Sequence, residues 1–179
     1  IVMFFIINAI MGISIYFTLA SGQLSLGAAG FMSVGAYVGA MLSLKADLPI
    51  IVGIIIGGLV ASLVAVIIGL PTTRLRGLYL AIATLGFGEV VRVIFLNLDV
   101  TNGALGLSGI PSIPQELTNY AYEFDIDGLM GLDAVTWGNL MAIIILLVVL
   151  ALIIAFCVRI NNSRVGRAFA AIKADDHAA

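Results

Sequence analysis

The stretch IIVGIIIGGLVASLVAVIIGL, residues 50–70, holds no charged side chain, and its reading decides the fold. It is too long for an ordinary strand, and a helix apolar all round has no face to turn to water. About 20 such residues cross the hydrocarbon core of a bilayer. Gly53, Gly57, Ala61, Ala65 and Gly69 recur at every fourth position within it. That spacing places them along one helix face. Lipid supplies no hydrophobic drive for helix association, so a stripe of small residues that lets backbones approach predicts close helix packing. Gly35 and Gly39 repeat the spacing upstream. The seam is one within a bundle or one between two copies of the chain.

Four more stretches have the length of a span: Ile1–Ala20, Ser25–Leu44, Gly77–Asn97 and Trp137–Val158. Pro49 and Pro71 fall at span boundaries, where a missing N–H is tolerated. The second stretch opens on SGQLSLGAAGF, and its glycines leave two forms open, a full span or a broken, re-entrant element. The whole chain agrees with its central stretch. Of its 179 residues 62% are hydrophobic and 10% charged, whereas a soluble domain carries about 25% charged residues. Mean hydropathy is +1.21. The expected fold is therefore an all-α, polytopic transmembrane helical bundle with five membrane segments in a single domain, residues 1–179. The chain opens on Ile1, already inside an apolar run, and reads as a fragment of a larger protein. Residues 1–20 lack the basic start and small-residue cleavage site of a signal peptide.

Several chemistries find no residues. A net charge of −2 with no basic stripe points away from a nucleic-acid partner. Neither Lys45 nor Lys173 follows a glycine-rich phosphate loop, and there is no HExxH or CxxC. His177 is the single histidine, and Cys157, alone among aliphatics, reads as packing. No catalytic, metal or cofactor site is expected, which leaves passage or coupling as the functional question.

Charge sets the orientation. Arg74 and Arg76 lie in PTTRLR, and Arg159, Arg164, Arg167 and Lys173 lie at or beyond the end of the last span. Five spans put these two regions on one side. Between them, Leu98–Thr136 carries Asp99, Glu116, Glu123, Asp125, Asp127 and Asp133 and no Lys or Arg. Short basic loops remain cytoplasmic, so residues 98–136 are expected outside and residues 159–179 inside. The external segment opens on TNGALGLSGIPSIP, whose glycines and prolines mark successive turns. A segment this long is either a docking element or a solvated connector.

Glu89 and Arg92, in LGFGEVVRVIF, are ionisable residues inside a span. Such residues are costly in hydrocarbon and face a bundle interior or a watery cavity. At i,i+3 they share a helix face. Three readings stand: a structural ion pair, a place on or beside the substrate path, or a span that ends sooner and leaves both near the outer surface. The tail SRVGRAFAAIKADDHAA has Ala and Ile on one side of a helix and Arg, Lys and Asp on the other. It is too charged to span and reads as an interfacial helix or a solvated terminus.

Four ordered segments, GQLSLGAAGFMSVGAYVGA, TTRLRGLYLAIATLGFGEVVRV, TNGALGLSGIP and SRVGRAFAAIKADD, together resemble the permease subunits of bacterial and archaeal ABC importers for branched-chain amino acids, the high-affinity leucine/isoleucine/valine type. The resemblance covers Asn8 through Ala179. Ala28 stands where relatives often carry His, and His177 where a further acidic residue is common. The resemblance implies a heterodimer with a second permease subunit, two cytoplasmic ATPase subunits and an external substrate-binding protein. It implies alternating access driven by ATP in the cell inner membrane. It also implies that Arg164, Gly166, Arg167, Ala168, Ile172, Asp175 and Asp176 lead into the helix that couples the permease to its ATPase. The rivals are a permease for urea, short amides or a sugar, a self-contained channel or ion-coupled carrier, and a membrane scaffold. A carrier would call for more intramembrane ionisable groups, and a scaffold would not need the basic tail.

Overall fold

The computed structural model describes residues 1–20, 22, 25–72, 75, 77–123, 133–164 and 166–167. All regular elements among them are helical. In chain order they are α1 (Val2–Ala20), α2 (Ala28–Lys45), α3 (Ile50–Thr72), α4 (Leu78–Asn97), two 3₁₀ turns (Asp99–Thr101 and Gly103–Leu105), α5 (Ile113–Glu123) and α6 (Ala134–Asn161). α1, α2, α3, α4 and α6 are each long and apolar enough to cross a membrane. Among the described residues the chain is an all-α bundle with five membrane-length helices.

Three helices differ from the sequence reading by more than one residue at a boundary. α2 is one uninterrupted 18-residue helix beginning at Ala28, so residues 28–45 are not a broken element. α3 continues through Pro71 to Thr72. Proline there withdraws one N–H from the last turn, and the Thr72 hydroxyl bonds the carbonyls of Ile68 and Gly69, both at 2.9 Å. α6 has 28 residues, starting before Trp137 and ending after Val158. The connector from α4 to α6 is thus residues 98–133, and Arg159 lies in the last turn of α6.

α2 and α3 form an antiparallel hairpin through residues 46–49. Its seam is made by glycine. A Cβ on Gly39 would stand 2.9 Å from the Gly53 carbonyl oxygen, and one on Gly53 2.8 Å from that of Gly39. A Cβ on Gly57 would strike the Gly35 carbonyl, while Gly35 faces Ala61 at ordinary contact distance. Farther along the stripe Gly69 has open space where its side chain would be. Contact between helices this close comes from dispersion, summed over many small terms.

α4 lies on the other side of α2, while α1 packs on α6 and touches α2. Phe4 and Phe5 are each 74% exposed, and bulky aliphatics cover the outer faces of every long helix. Such faces suit lipid or a partner subunit and could not be left in water.

In the connector, residues 98–123 are held by specific contacts. Thr101 is fully buried, and its hydroxyl donates to the Phe95 carbonyl (2.6 Å) and the Leu98 carbonyl (2.8 Å) near the end of α4. Asn102 follows with φ 64, a left-handed turn that asparagine tolerates. α5 opens on a reciprocal cap: the Ser112 N–H donates to Gln115 Oε1 at 2.9 Å, and the Gln115 N–H donates to Ser112 Oγ at 3.4 Å. α5 then crosses the start of α6, where Gly138 admits Thr118 and the Pro114 carbonyl and Ala121, Ala134 and Ala142 are buried.

Candidate functional site

Two places gather the polar residues singled out in the sequence. The first is a groove between α2 and α4. The helices close at its floor because Gly30 lies against Phe87 and Gly88; a Cβ on Gly30 would come within 2.9 Å of the Phe87 ring. Phe31 and Phe87 meet there with centroids 4.7 Å apart. Below the floor, the Leu26 N–H donates to Thr84 Oγ1 at 2.9 Å, and the same hydroxyl donates to the Leu80 and Ala81 carbonyls. The buried Thr84 therefore ties the entry of α2 to α4 while satisfying an N–H that precedes the helix.

Above the floor the groove opens to about 370 Å³. From α2 it is lined by Ser33 and Tyr37, and from α4 by Leu85, Gly88 and Arg92, with Phe95 and Leu96 at its end. Tyr37 stacks on Phe95, centroids 4.2 Å apart and rings inclined by 17°. Glu89, one helical turn before Arg92, meets it on the same face. Arg92 Nε donates to Glu89 Oε2 at 2.9 Å, and Arg92 Nη2 donates to Glu89 Oε1. The pair is not covered by this chain: the side chains of Arg92 and Glu89 are 61% and 54% exposed. A membrane-length helix thus presents both charges beyond the packed interior of the described residues. The glycines at 86 and 88 differ: Gly88 meets α2 at Gly30, and Gly86 has open space.

This groove lies near the end of α4 that leads into the connector. The short α2–α3 turn is at that same end. Lys45 Nζ donates to the Val100 carbonyl at 3.3 Å, and the Ile50 N–H, at the start of α3, donates to Glu116 Oε2 at 2.8 Å. A carboxylate at a helix N-terminus satisfies a free N–H and complements the helix dipole.

The second place is the opposite end, beyond α6. The chain turns at Asn162–Ser163, and Arg164, Gly166 and Arg167 are helical again. The Ser163 hydroxyl donates to the Ile160 carbonyl at 2.6 Å, the Arg167 N–H donates to the Ser163 carbonyl at 3.2 Å, and the Gly166 N–H approaches Ser163 Oγ at 3.4 Å. Gly166 is buried in this turn, and a Cβ there would lie 2.5 Å from the Ile160 carbonyl oxygen. Arg164 and Arg167 are exposed. Ala168, Ile172, Asp175 and Asp176, like Arg74, Arg76 and Lys173, lie outside the described residues. Among the described residues no group of three or more His, Cys, Asp or Glu could hold a metal.

The sequence reading missed Thr84, Thr101 and the Ser112–Gln115 cap. Only the last had a local signal, the S-x-x-Q spacing before a helix.

The family described as branched-chain amino acid transport system / permease component matches residues 1–179. The high-affinity branched-chain amino acid transport system permease protein LivM of Escherichia coli (strain K12) is 35% identical over 182 residues, covering 95% of this chain and 40% of that protein. LivM of Salmonella typhimurium (strain LT2) is 39% identical over 106 residues, 59% of this chain and 23% of that protein. The chain thus spans well under half the length of these relatives. No solved structure matches the chain.

Proposed function

The chain belongs to the family of branched-chain amino acid transport permease components, and from that premise we propose that it is a transmembrane subunit of an ATP-driven importer of branched-chain amino acids. The match along the whole chain, residues 1–179, is the observation that carries the reading. The chain provides the passage, and ATP is hydrolysed in separate subunits. Its partners are a second permease subunit, two cytoplasmic ATPase subunits and an external binding protein, and its work is alternating access across the inner membrane of a bacterium or archaeon.

In this proposal residues 98–133 face outward and the tail faces the cytoplasm. Support comes from the placement of Lys and Arg, which favour the cytoplasmic side. The tail, from Arg164 through Gly166 and Arg167 to Ala168, Ile172, Asp175 and Asp176, leads into the ATPase-coupling helix. The tight turn at Ser163 supports this, because it holds Gly166 and Arg167 against the end of α6. A movement imposed on such a tail is passed to a membrane helix rather than lost in a loose linker.

Competition tests the substrate class. Vesicles holding the intact complex should take up labelled leucine in a manner suppressed by unlabelled isoleucine and valine and unaffected by urea. Uptake of urea with no uptake of leucine would replace this reading with a short-amide importer.

A further inference from the structure

The Glu89–Arg92 pair presents a problem that its own geometry does not resolve. Two ionised side chains joined by two hydrogen bonds are neutral overall, yet both remain more than half exposed on a membrane-length helix. Hydrocarbon around such a pair would be costly, so the face it occupies meets water or other polar groups. Beside it lies the α2/α4 groove, about 370 Å³, at the lower end of the range of small-molecule pockets.

The composition of this groove is specific. Arg92 spends Nε and one Nη2 hydrogen on Glu89, and a guanidinium has five N–H donors, so further donors remain at its edge. Each Glu89 oxygen accepts one bond from Arg92 and retains capacity for a second. The rest of the lining is mostly apolar, with Leu85, Leu96 and the stacked Tyr37–Phe95 pair. Arg92, which lines the slot, thus offers a carboxylate receiver at its edge, and Glu89, outside the lining, stands next to it on α4 as an ammonium receiver.

We infer that this groove receives the zwitterionic head of an α-amino acid, Arg92 taking the carboxylate and Glu89 the ammonium group, with an aliphatic side chain lying against Leu85, Leu96 and Phe95. The substrate class rests on the function proposed above. The pair need not break, because the incoming carboxylate and ammonium add to donors and acceptors left over. Net charge at the site is zero before and after binding, so no isolated charge is placed in low dielectric. A transport station has to bind well enough to admit its ligand and weakly enough to release it, and exchange of one neutral charge pattern for another meets both demands. The groove sits at the connector end of α4, where a ligand delivered from the outer side would first meet the bundle.

The test uses the complete importer in vesicles, with every native cysteine, Cys157 among them, changed to Ser and Ser33→Cys placing a reporter in the groove. Labelling of the reporter by a water-soluble maleimide is timed with leucine, with leucinamide, which lacks the carboxylate, and with 4-methylpentanoate, which lacks the ammonium group. Leucine should slow labelling several-fold, neither analogue should match it, and the double change Glu89→Gln/Arg92→Gln should abolish the protection. Leu96→Cys is the second reporter if Ser33→Cys does not assemble. Equal rates with and without leucine, equal protection by either analogue, or protection that survives the double change would overturn the assignment. Leucine uptake measured on the same vesicles separates the two levels. Uptake without protection removes the groove alone, and absence of uptake in the unmodified complex removes the substrate class and the groove together.

Discussion

At the scale of single residues, the bundle depends on groups that do opposite things. Gly57 is needed because nothing larger fits: its Cβ would meet the Gly35 carbonyl, and backbone does not yield as a flexible side chain does. Gly57→Val should lower stability by about 1–3 kcal/mol, the usual cost of overpacking. Gly58, one position on, has open space, and Gly58→Ala should change stability by less than about 1 kcal/mol. Thermal unfolding of the two variants in one detergent compares them directly, and equal losses would contradict the seam. Thr84 is needed for its hydroxyl. Thr84→Val keeps the shape and strands the Leu26 N–H, at a cost of about 1–3 kcal/mol. Thr84→Ser should recover most of that in the same measurement. For Glu89 and Arg92 the prediction concerns assembly: either single change to Gln leaves one charge without its partner, so each should reduce the yield of folded complex more than the double change does. Additive losses in that cycle would show that the two act separately.

At the scale of elements, what the sequence revealed follows from what the bilayer imposes. A span must be about 20 apolar residues long, so residues 50–70 announce a helix without any knowledge of its neighbours. The same pressure made Gly53 and Gly57 readable as a face, though not their partners: only the structure shows Gly39 and Gly35 opposite them and leaves Gly69 in the open. α5 escaped because the membrane does not dictate it. It has 11 residues, mixed polar and apolar, and owes its place to a cap, to Glu116 and to the room left by Gly138. Pairing of Glu89 with Arg92 was legible from i,i+3 spacing, whereas the groove beside it required α2 to be in place, which Gly30 and Thr84 decide from far along the chain. The residues beyond Arg167 proposed for coupling lie outside the described residues. Ser112→Ala, which removes the hydroxyl half of the reciprocal cap, should cost α5 about 1 kcal/mol. Amide exchange across residues 113–123 should then quicken about fivefold, while exchange in α3 beyond its first turn stays as it was. Unchanged exchange in α5 would mean that packing on α6 alone holds it.

At the scale of the whole molecule, the two ends of the bundle have different tasks in this account. One end gathers the α2–α3 turn, the connector and the mouth of the groove through Lys45 and Glu116. The other holds the turn after α6, where Gly166 lies against the Ile160 and Asn161 carbonyls. Cysteines placed at Ser112 and Ser163 should label from opposite faces of intact cells, and labelling of both from outside would reverse the orientation. In the intact protein Arg167→Glu should leave insertion normal while removing the response of ATPase activity to the loaded binding protein. The claim beneath these is that ATP, through partner subunits, drives amino acids past this chain. Accumulation of labelled leucine against its gradient, in vesicles holding the complete complex with ATP at the cytoplasmic face, tests it most directly. Accumulation should require both ATP and this subunit. Leucine that merely equilibrates, at the same rate with or without ATP, would make the chain a self-contained channel or carrier and contradict the account.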